Sequence, residues 1–416
     1  MTARFALVRS APSGRAGRAP AGRLSRPARL LRRSRPTALV VAILSALPSV
    51  ASAQEPPTAP ATVPALGTPV FSMRRVPALL SRVVADAHLK TDLDKVMTDP
   101  VYGAARDRSC LVVGDPGAGA VHYSRQPSLG LIPASTLKLL TSAAALAQLG
   151  PDSRFTTAIR AGAAPADGGV GELYMVGGGD PLLSTADFAS DGGYMGQSRR
   201  STSIEALADK VVAAGVRRVG RLLGDESRYD SERLVPSWNP RYIANFDISP
   251  LSALVVNKAF ASISPPAVAI SPPAHAAGVL AGLLRARGVS VGDTGTAKAP
   301  ADAPLVTSLE SAPLSEIVAE ILQNSDNMAA EMLVKELGVR PGAPGSTAAG
   351  LSAVAERLRQ LAGVGPEEVA AVDGSGLDRG DRLSCAVLQR VLAQAGESGP
   401  LAQGLPVAGR NRPSSS

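Results

Sequence analysis

Residues 133–149 read Pro-Ala-Ser-Thr-Leu-Lys-Leu-Leu-Thr-Ser-Ala-Ala-Ala-Leu-Ala-Gln-Leu, and Gly150-Pro151 follows. An early proline and a closing Gly-Pro predict a helix over Pro133–Leu149. The stretch is apolar on nearly every side, so the helix belongs in a core. Ser135 and Lys138 stand three positions apart at its start, on one face and about 5–6 Å apart at Cβ. Desolvation in such a helix disfavours the ammonium, so Lys138 can be neutral near physiological pH. A neutral amine can take the Ser135 proton and turn the hydroxyl into a nucleophile. The positive end of the helix favours the developing alkoxide. An N-capping serine followed by a snorkelling lysine has the same spelling, so this string alone does not decide.

Working outward, Ser325-Asp326-Asn327 interrupts two apolar helical runs, Leu314–Leu322 and Asp326–Leu337. A tight turn there would present short polar side chains. A second hydroxyl can relay a proton to a leaving group, and an amide can hold a substrate carbonyl or N–H. An ordinary helix-capping cluster has the same composition. Two such strings, each at the mouth of an apolar helix, favour catalysis. The remaining chemistry is sparse. His88, His122 and His275 lack metal-ligand spacing, and no G-x-S-x-G elbow occurs, since Asp373-Gly374-Ser375-Gly376 has the wrong spacing. Two cysteines, Cys110 and Cys385, exclude a disulfide-dense scaffold and a four-cysteine zinc site. Their separation and apolar neighbours favour two buried thiols, although an exported chain could pair them.

The organisation follows from texture. Val76–Met97 reads as a helix, Ser109–Val113 and Ala120–Tyr123 as a hairpin. After Pro151 the chain becomes richer in Gly, Pro and short alternating runs. Strands are expected at Gly171–Val176, Arg218–Leu223 and near Val289, with helices at Ile204–Ala214 and Ala274–Arg287. The four prolines of 264–273 read as a linker, and Asp293-Thr294-Gly295-Thr296 as a turn. Helical texture returns with Leu314–Leu322, Asp326–Leu337, Ala348–Leu361 and Leu383–Ala395. The simplest reading is an α/β domain (70–152 and 301–416) split by a strand-rich insertion at 153–300.

The charge is uneven. Of 43 Lys plus Arg, ten are arginines within residues 1–53, which hold no Asp, Glu or Lys. Removing them leaves 33 basic against 35 acidic side chains, so the net +8 belongs to that segment. The arginines, the apolar run Ala38–Leu47 and Ala51-Ser52-Ala53 spell a secretory leader, 1–53, followed by a Pro/Thr/Ala linker, 54–69. The apolar run is too short to span a bilayer, which needs about 20 residues. A basic arm binding nucleic acid is the bland alternative. Aromatic residues at only 3% argue against a stacking groove for single strands. Hydrophobic residues at 45% support a real core.

Six strings in order carry a resemblance. They are Pro133-Ala134-Ser135-Thr136-Leu137-Lys138, Gly177-Gly178-Gly179-Asp180-Pro181, Gly224-Asp225-Glu226-Ser227, Asn324-Ser325-Asp326-Asn327, Asp373-Gly374-Ser375-Gly376-Leu377 and Leu405-Pro406-Val407-Ala408-Gly409. Over roughly residues 75–410 the chain resembles the D-alanyl-D-alanine carboxypeptidase/endopeptidase family of low-molecular-mass penicillin-binding proteins, the S13 type. The resemblance implies helices on an antiparallel sheet, split by the insertion. It implies Ser135 as the acylated nucleophile, Lys138 as its base, Ser325 as proton relay and Asn327 as holder of the substrate amide. The Ser135 N–H would be an oxyanion donor. The substrate would be the D-Ala-D-Ala end of peptidoglycan stem peptides, with β-lactams as inhibitors. No metal, cofactor, nucleic-acid partner or stable membrane span is implied, and the location is outside the cytoplasm, in the periplasm or cell-wall space. One departure stands out. The family's K-T-G motif would follow the second string, but no lysine follows Lys335. The expectation is a shortened chain lacking the last sheet strand, with weaker activity. A non-catalytic peptidoglycan binder and a serine β-lactamase are the alternatives.

Overall fold

A computed structural model describes residues 76–116, 119–190 and 200–407. The expected leader (1–53), linker (54–69) and Ala408-Gly409 of the last string lie outside the described residues. In chain order the principal elements are α1 (Val76–Thr98), β1 (Leu111–Gly114), β2 (Val121–Arg125), α2 (Lys138–Leu149), β3 (Thr156–Ala161), β4 (Gly169–Val176), α3 (Ile204–Ala213), β5 (Arg218–Asp225), α4 (Pro272–Arg285), β6 (Ser290–Thr296), β7 (Leu305–Glu310), α5 (Leu314–Asn324), α6 (Asn327–Leu337), α7 (Thr347–Ala362) and α8 (Cys385–Ala395). The class is the mixed α/β one expected.

Local chemistry sets several boundaries. Ser203, Asp326, Ser346 and Ser384 each cap a helix, accepting from the N–H of Ala206, Ala329, Ala349 and Val387 in turn. Gly363 ends α7 in the left-handed conformation.

The large sheet has the order β6-β5-β4-β3-β7. The β6, β5 and β4 strands run parallel, whereas β3 is antiparallel to both β4 and β7. One core joins it to α3 and α4, with Leu173, Met175 and Leu222 against Leu207, Val211, Leu280 and Leu284. The last strand of this sheet, β7, lies past residue 300. The second core is helical. Leu140, Ala144 and Ala145 of α2 meet Ile317, Ile321, Leu333, Val354 and Val387 of the surrounding helices. Burying each large aliphatic side chain contributes about 1.5–3 kcal/mol, so α2 is held rigidly. A third cluster seats residues 229–259 on α6, with Trp238, Ile248, Leu251 and Val255 against Met328 and Met332.

Three expectations need correction. Asp293-Thr294-Gly295-Thr296 is not a turn; it lies in β6 and pairs with Arg221–Gly224 of β5. As an edge strand exposed on much of its length, β6 tolerates polar residues and glycine that a central strand would not. The segment 264–273 is not a linker. Pro266–Val268 pairs with Phe260–Ile263, and Pro272-Pro273 opens α4, where a missing N–H costs nothing. Cys110 and Cys385 are not free thiols but a disulfide, with Cα atoms 5.9 Å apart. They meet because β1 packs beside α8, a proximity invisible across 275 residues of chain.

The β1–β2 hairpin is also tied to α1. His122 sits between two carboxylates, with Nδ1 3.1 Å from Asp86 of α1 and Nε2 2.9 Å from Asp115. Tyr123 donates to Asp94 at 2.8 Å. Asp115 chiefly, with Asp86, raises the His122 pKa above its ordinary value. A raised folded-state value gives stabilisation that is full below the unfolded value and is lost as pH rises through the folded one. The melting-temperature difference between the protein and His122→Asn is therefore expected at pH 5.5 and should vanish by pH 8.5. A difference that grows with pH would contradict this assignment.

Candidate active site

The polypeptide enters the site through Leu131, which exchanges two backbone hydrogen bonds with Leu383. Ala134 then takes a positive φ of 48°, and residues 134–137 form a tight 3-10 turn that runs straight into α2. The expected single helix is thus a turn plus a helix. The strained residue immediately precedes Ser135. Such a conformation costs about 1–3 kcal/mol and persists only where its surroundings enforce it. The enforcement is visible on the opposite side. Gly376 has φ +82°, and a Cβ there would overlap the Ala134 carbonyl. The 373–378 turn therefore backs directly onto the turn that presents Ser135.

Ser135 is exposed, and its Oγ has two polar neighbours. Lys138 Nζ donates to it at 3.0 Å and Ser325 Oγ at 2.8 Å. Ser325 is left-handed (φ 57°), the C-cap of α5, and Asp326 caps α6 immediately afterwards. This reversal between two helices brings a hydroxyl from 190 residues away to the nucleophile. Lys138 is 1% exposed. Its Nζ also donates to Asn327 Oδ1 at 2.6 Å and to the Ser375 carbonyl at 2.8 Å. Burial pulls its pKa down to about 8, against the opposing influence of Glu331, Asp326 and Asp373. All four residues expected from sequence are brought together.

Asn327 is more committed than expected. Its Oδ1 accepts from Lys138, and its Nδ2 donates to the Asp247 carbonyl at 2.7 Å. One amide proton remains for a substrate carbonyl. Asp247, which comes from the segment seated on α6, was missed because a backbone carbonyl has no sequence signature. Lys258 was missed as well. It lies in a run of three left-handed residues, Asn257, Lys258 and Ala259, and its Nζ is 2.8 Å from Asp326 Oδ2. Burial disfavours the Asp326 carboxylate, but Lys258 outweighs this and keeps its pKa below the ordinary value. A lysine inside the apolar stretch Leu254–Phe260 was the available signal.

The glycine-rich strings serve the seam between the sheet and α6. Gly178 lies against the Thr156 backbone, and Gly179 (φ +89°) against the Tyr229 hydroxyl. Tyr229 and Arg228 both donate to Glu336 near the C-terminus of α6. Asp180 and Asp225 are buried turn-formers, accepting from the N–H of Leu182 and Ser227. Among the described residues, no group of His, Cys, Asp and Glu has the geometry of a metal site.

A serine bonded to a buried lysine one turn on, with a second serine and an asparagine delivered by a distant reversal, is the constellation of lysine-assisted serine acyl-transferases. The model of the D-Ala-D-Ala carboxypeptidase 3 (S13) family matches residues 89–267 and 264–413. The chain belongs to that family. It is 34% identical to a D-alanyl-D-alanine carboxypeptidase of an Actinomadura species, over 85% of this chain and 76% of that one. It is 31% identical to a carboxypeptidase of Mycobacterium tuberculosis, over 86% of this chain and 74% of the relative. Its fold is like that of penicillin-binding protein 4 of Haemophilus influenzae, with a TM-score of 0.58 and 20% identity over 70% of this chain and 76% of the other.

Proposed function

We propose that the protein is an exported serine D-Ala-D-Ala carboxypeptidase/endopeptidase of peptidoglycan stem peptides, sensitive to β-lactams, with Ser135 as the acylated residue. The observation that carries the reading is the Lys138 amine, buried and lowered to about 8 while 3.0 Å from an exposed serine hydroxyl. The family and the names of its relatives supply the substrate class. The domain division proposed is an acyl-transfer part, before about residue 153 and after about 310, interrupted by the sheet domain.

In the reaction, neutral Lys138 accepts the Ser135 proton as Oγ forms a bond to the carbonyl carbon of the penultimate D-Ala. The Ser135 N–H faces the developing oxyanion. Collapse breaks the C–N bond. The proton returns through Lys138 and Ser325 to the nitrogen of the departing D-Ala, leaving an ester on Ser135. Water then attacks that ester with the same base, releasing the shortened peptide. Asn327 serves twice, fixing Lys138 and offering its second amide proton to the substrate.

Incubation with benzylpenicillin followed by peptide mass spectrometry is expected to find the adduct on Ser135. A pentapeptide ending in D-Ala-D-Ala is expected to lose one D-Ala. Wall binding without adduct or release would establish a non-catalytic binder instead. Rapid penicillin turnover would establish a β-lactamase.

A further inference from the structure

We propose that Glu331 is a positioning residue for the Lys138 amine, acting through the backbone of residues 374–375. The inference rests on the acyl-transfer reading above. Glu331 lies one turn after Asn327 on α6 and is fully buried, at 0% exposure. Its Oε1 accepts from Ser375 N at 2.7 Å and Gly374 N at 3.0 Å, and its Oε2 from Gly374 N at 3.1 Å. The carbonyl of that same Ser375 accepts from Lys138 Nζ at 2.8 Å. One carboxylate thus holds the two peptide units that lead into the Ser375 carbonyl, while Asp373 holds the Gly376 N–H of the unit that carries it.

The proton count explains why this matters. A neutral amine has two N–H groups and one lone pair. The ammonium donates to Ser135 Oγ, Asn327 Oδ1 and Ser375 O; once it loses the proton directed at Ser135, the latter two claim the remaining protons and the lone pair faces the Ser135 hydroxyl. If either acceptor turns away, the amine can rotate and direct a proton at Ser135 Oγ, the wrong polarity for a base. Asn327 is itself pinned by Asp247. Glu331 acts on Ser375 from the other side of its Cα, by fixing the N–H from which the carbonyl direction is set.

The turn does not need Glu331 merely to form. Asp373 already closes it, accepting from Ser375 N at 3.2 Å, Gly376 N at 2.7 Å and Asp378 N at 2.8 Å. Trp238 Nε1 donates to Asp373 at 2.8 Å, and Thr141 Oγ1 to Gly374 O at 2.8 Å. A second buried carboxylate beside Asp373 is costly. Burial first, then Asp373, pushes Glu331 up to about 8. The acidic groups facing Lys138 are Glu331 from α6, Asp326 from the reversal before it, and Asp373 from the turn. Removing the Glu331 charge should therefore let Lys138 titrate lower.

The test compares wild type, Glu331→Gln and Glu331→Ala. Two quantities are followed against pH: the rate of benzylpenicillin acylation, and the NMR shift of Lys138 Cε, which needs no activity. Glutamine keeps an oxygen for both N–H groups. It is expected to retain the acylation rate within a few-fold, with Lys138 titrating lower. Alanine removes the acceptor and is expected to slow acylation about 10- to 100-fold at an unchanged half-saturating penicillin concentration, on the scale of losing a hydrogen bond that orients a metal-ligating side chain. A folded alanine variant acylated at the wild-type rate, or an unmoved Lys138 titration in the glutamine variant, overturns the proposal. If the alanine variant does not fold, Glu331→Met, which fills the space and removes the acceptor, takes its place in the acylation test. If wild type forms no adduct, the acyl-transfer reading fails, and the same titration still decides whether Glu331 acts on Lys138.

Discussion

Lys138→Met is expected to slow β-lactam acylation of Ser135 by about 10³-fold or more while leaving a folded protein. Methionine matches the length of the lysine stem and is apolar, so the α2 core around Leu137 and Leu140 keeps its volume. What disappears is the proton acceptor 3.0 Å from the nucleophile. Ser325 remains at 2.8 Å but is a neutral hydroxyl and far too weak a base near neutral pH. The pH profile should change in kind as well as in height. Wild-type acylation should climb through about pH 8, as the lysine loses its proton, and the methionine variant should show no such limb. Stability should carry the same signature. A lysine lowered to about 8 when folded and near 10.5 when unfolded makes the folded state bind fewer protons between those values. Stability relative to Lys138→Met should therefore rise with pH across that window. Stopped-flow acylation and chemical denaturation at several pH values measure both. An unaltered alkaline limb in the variant would remove Lys138 from the role of base.

Opening the Cys110–Cys385 disulfide is expected to destabilise the fold by about 4–5 kcal/mol. The bond closes a loop spanning 275 residues, and in the chain-entropy account the stabilisation grows with loop length. The expected loss is comparable with the whole stability of many domains, about 5–15 kcal/mol. It should lower the melting temperature by roughly 10 °C. The effect should be concentrated at the hairpin. The β1 strand pairs only with β2 among the described residues, and Leu80, Val83 and Val84 of α1 are more than half exposed. The hairpin therefore has little apolar support beyond α8. Damage should also reach the site, because Leu383, two residues before Cys385, holds Leu131, four residues before Ser135. Thermal melts with and without dithiothreitol, and of the double Cys→Ala variant, give the magnitude. Amide exchange should show the hairpin and residues 131–135 losing protection before the sheet. Identical melts in reductant and oxidant would show that the bond carries no stability.

Local chemistry was legible where neighbours in sequence are neighbours in space. The pairing of Ser135 with Lys138, the burial of α2 and the capped reversal at 325–327 all follow from a 3.6-residue period and the residues that start and stop helices. The six ordered strings went further and announced the family. Several features depended on contacts made across long stretches of chain. The segment 293–296 became a strand because β5 offered a parallel edge, whereas its own residues spell a turn. The cysteines paired because β1 packs beside α8. Lys138 received its geometry from a carbonyl at 375 and an amide at 327, and Asn327 was fixed by a carbonyl at 247. Carbonyl oxygens occur at every residue and leave no mark in a sequence, so only tertiary packing decides which of them faces the lysine. The sequence by itself determined the candidate groups and the helical segments that carry them; the tertiary structure decided how the lysine is aimed, because one of its acceptors is a backbone carbonyl with no residue code and the other reaches it across 189 residues of chain.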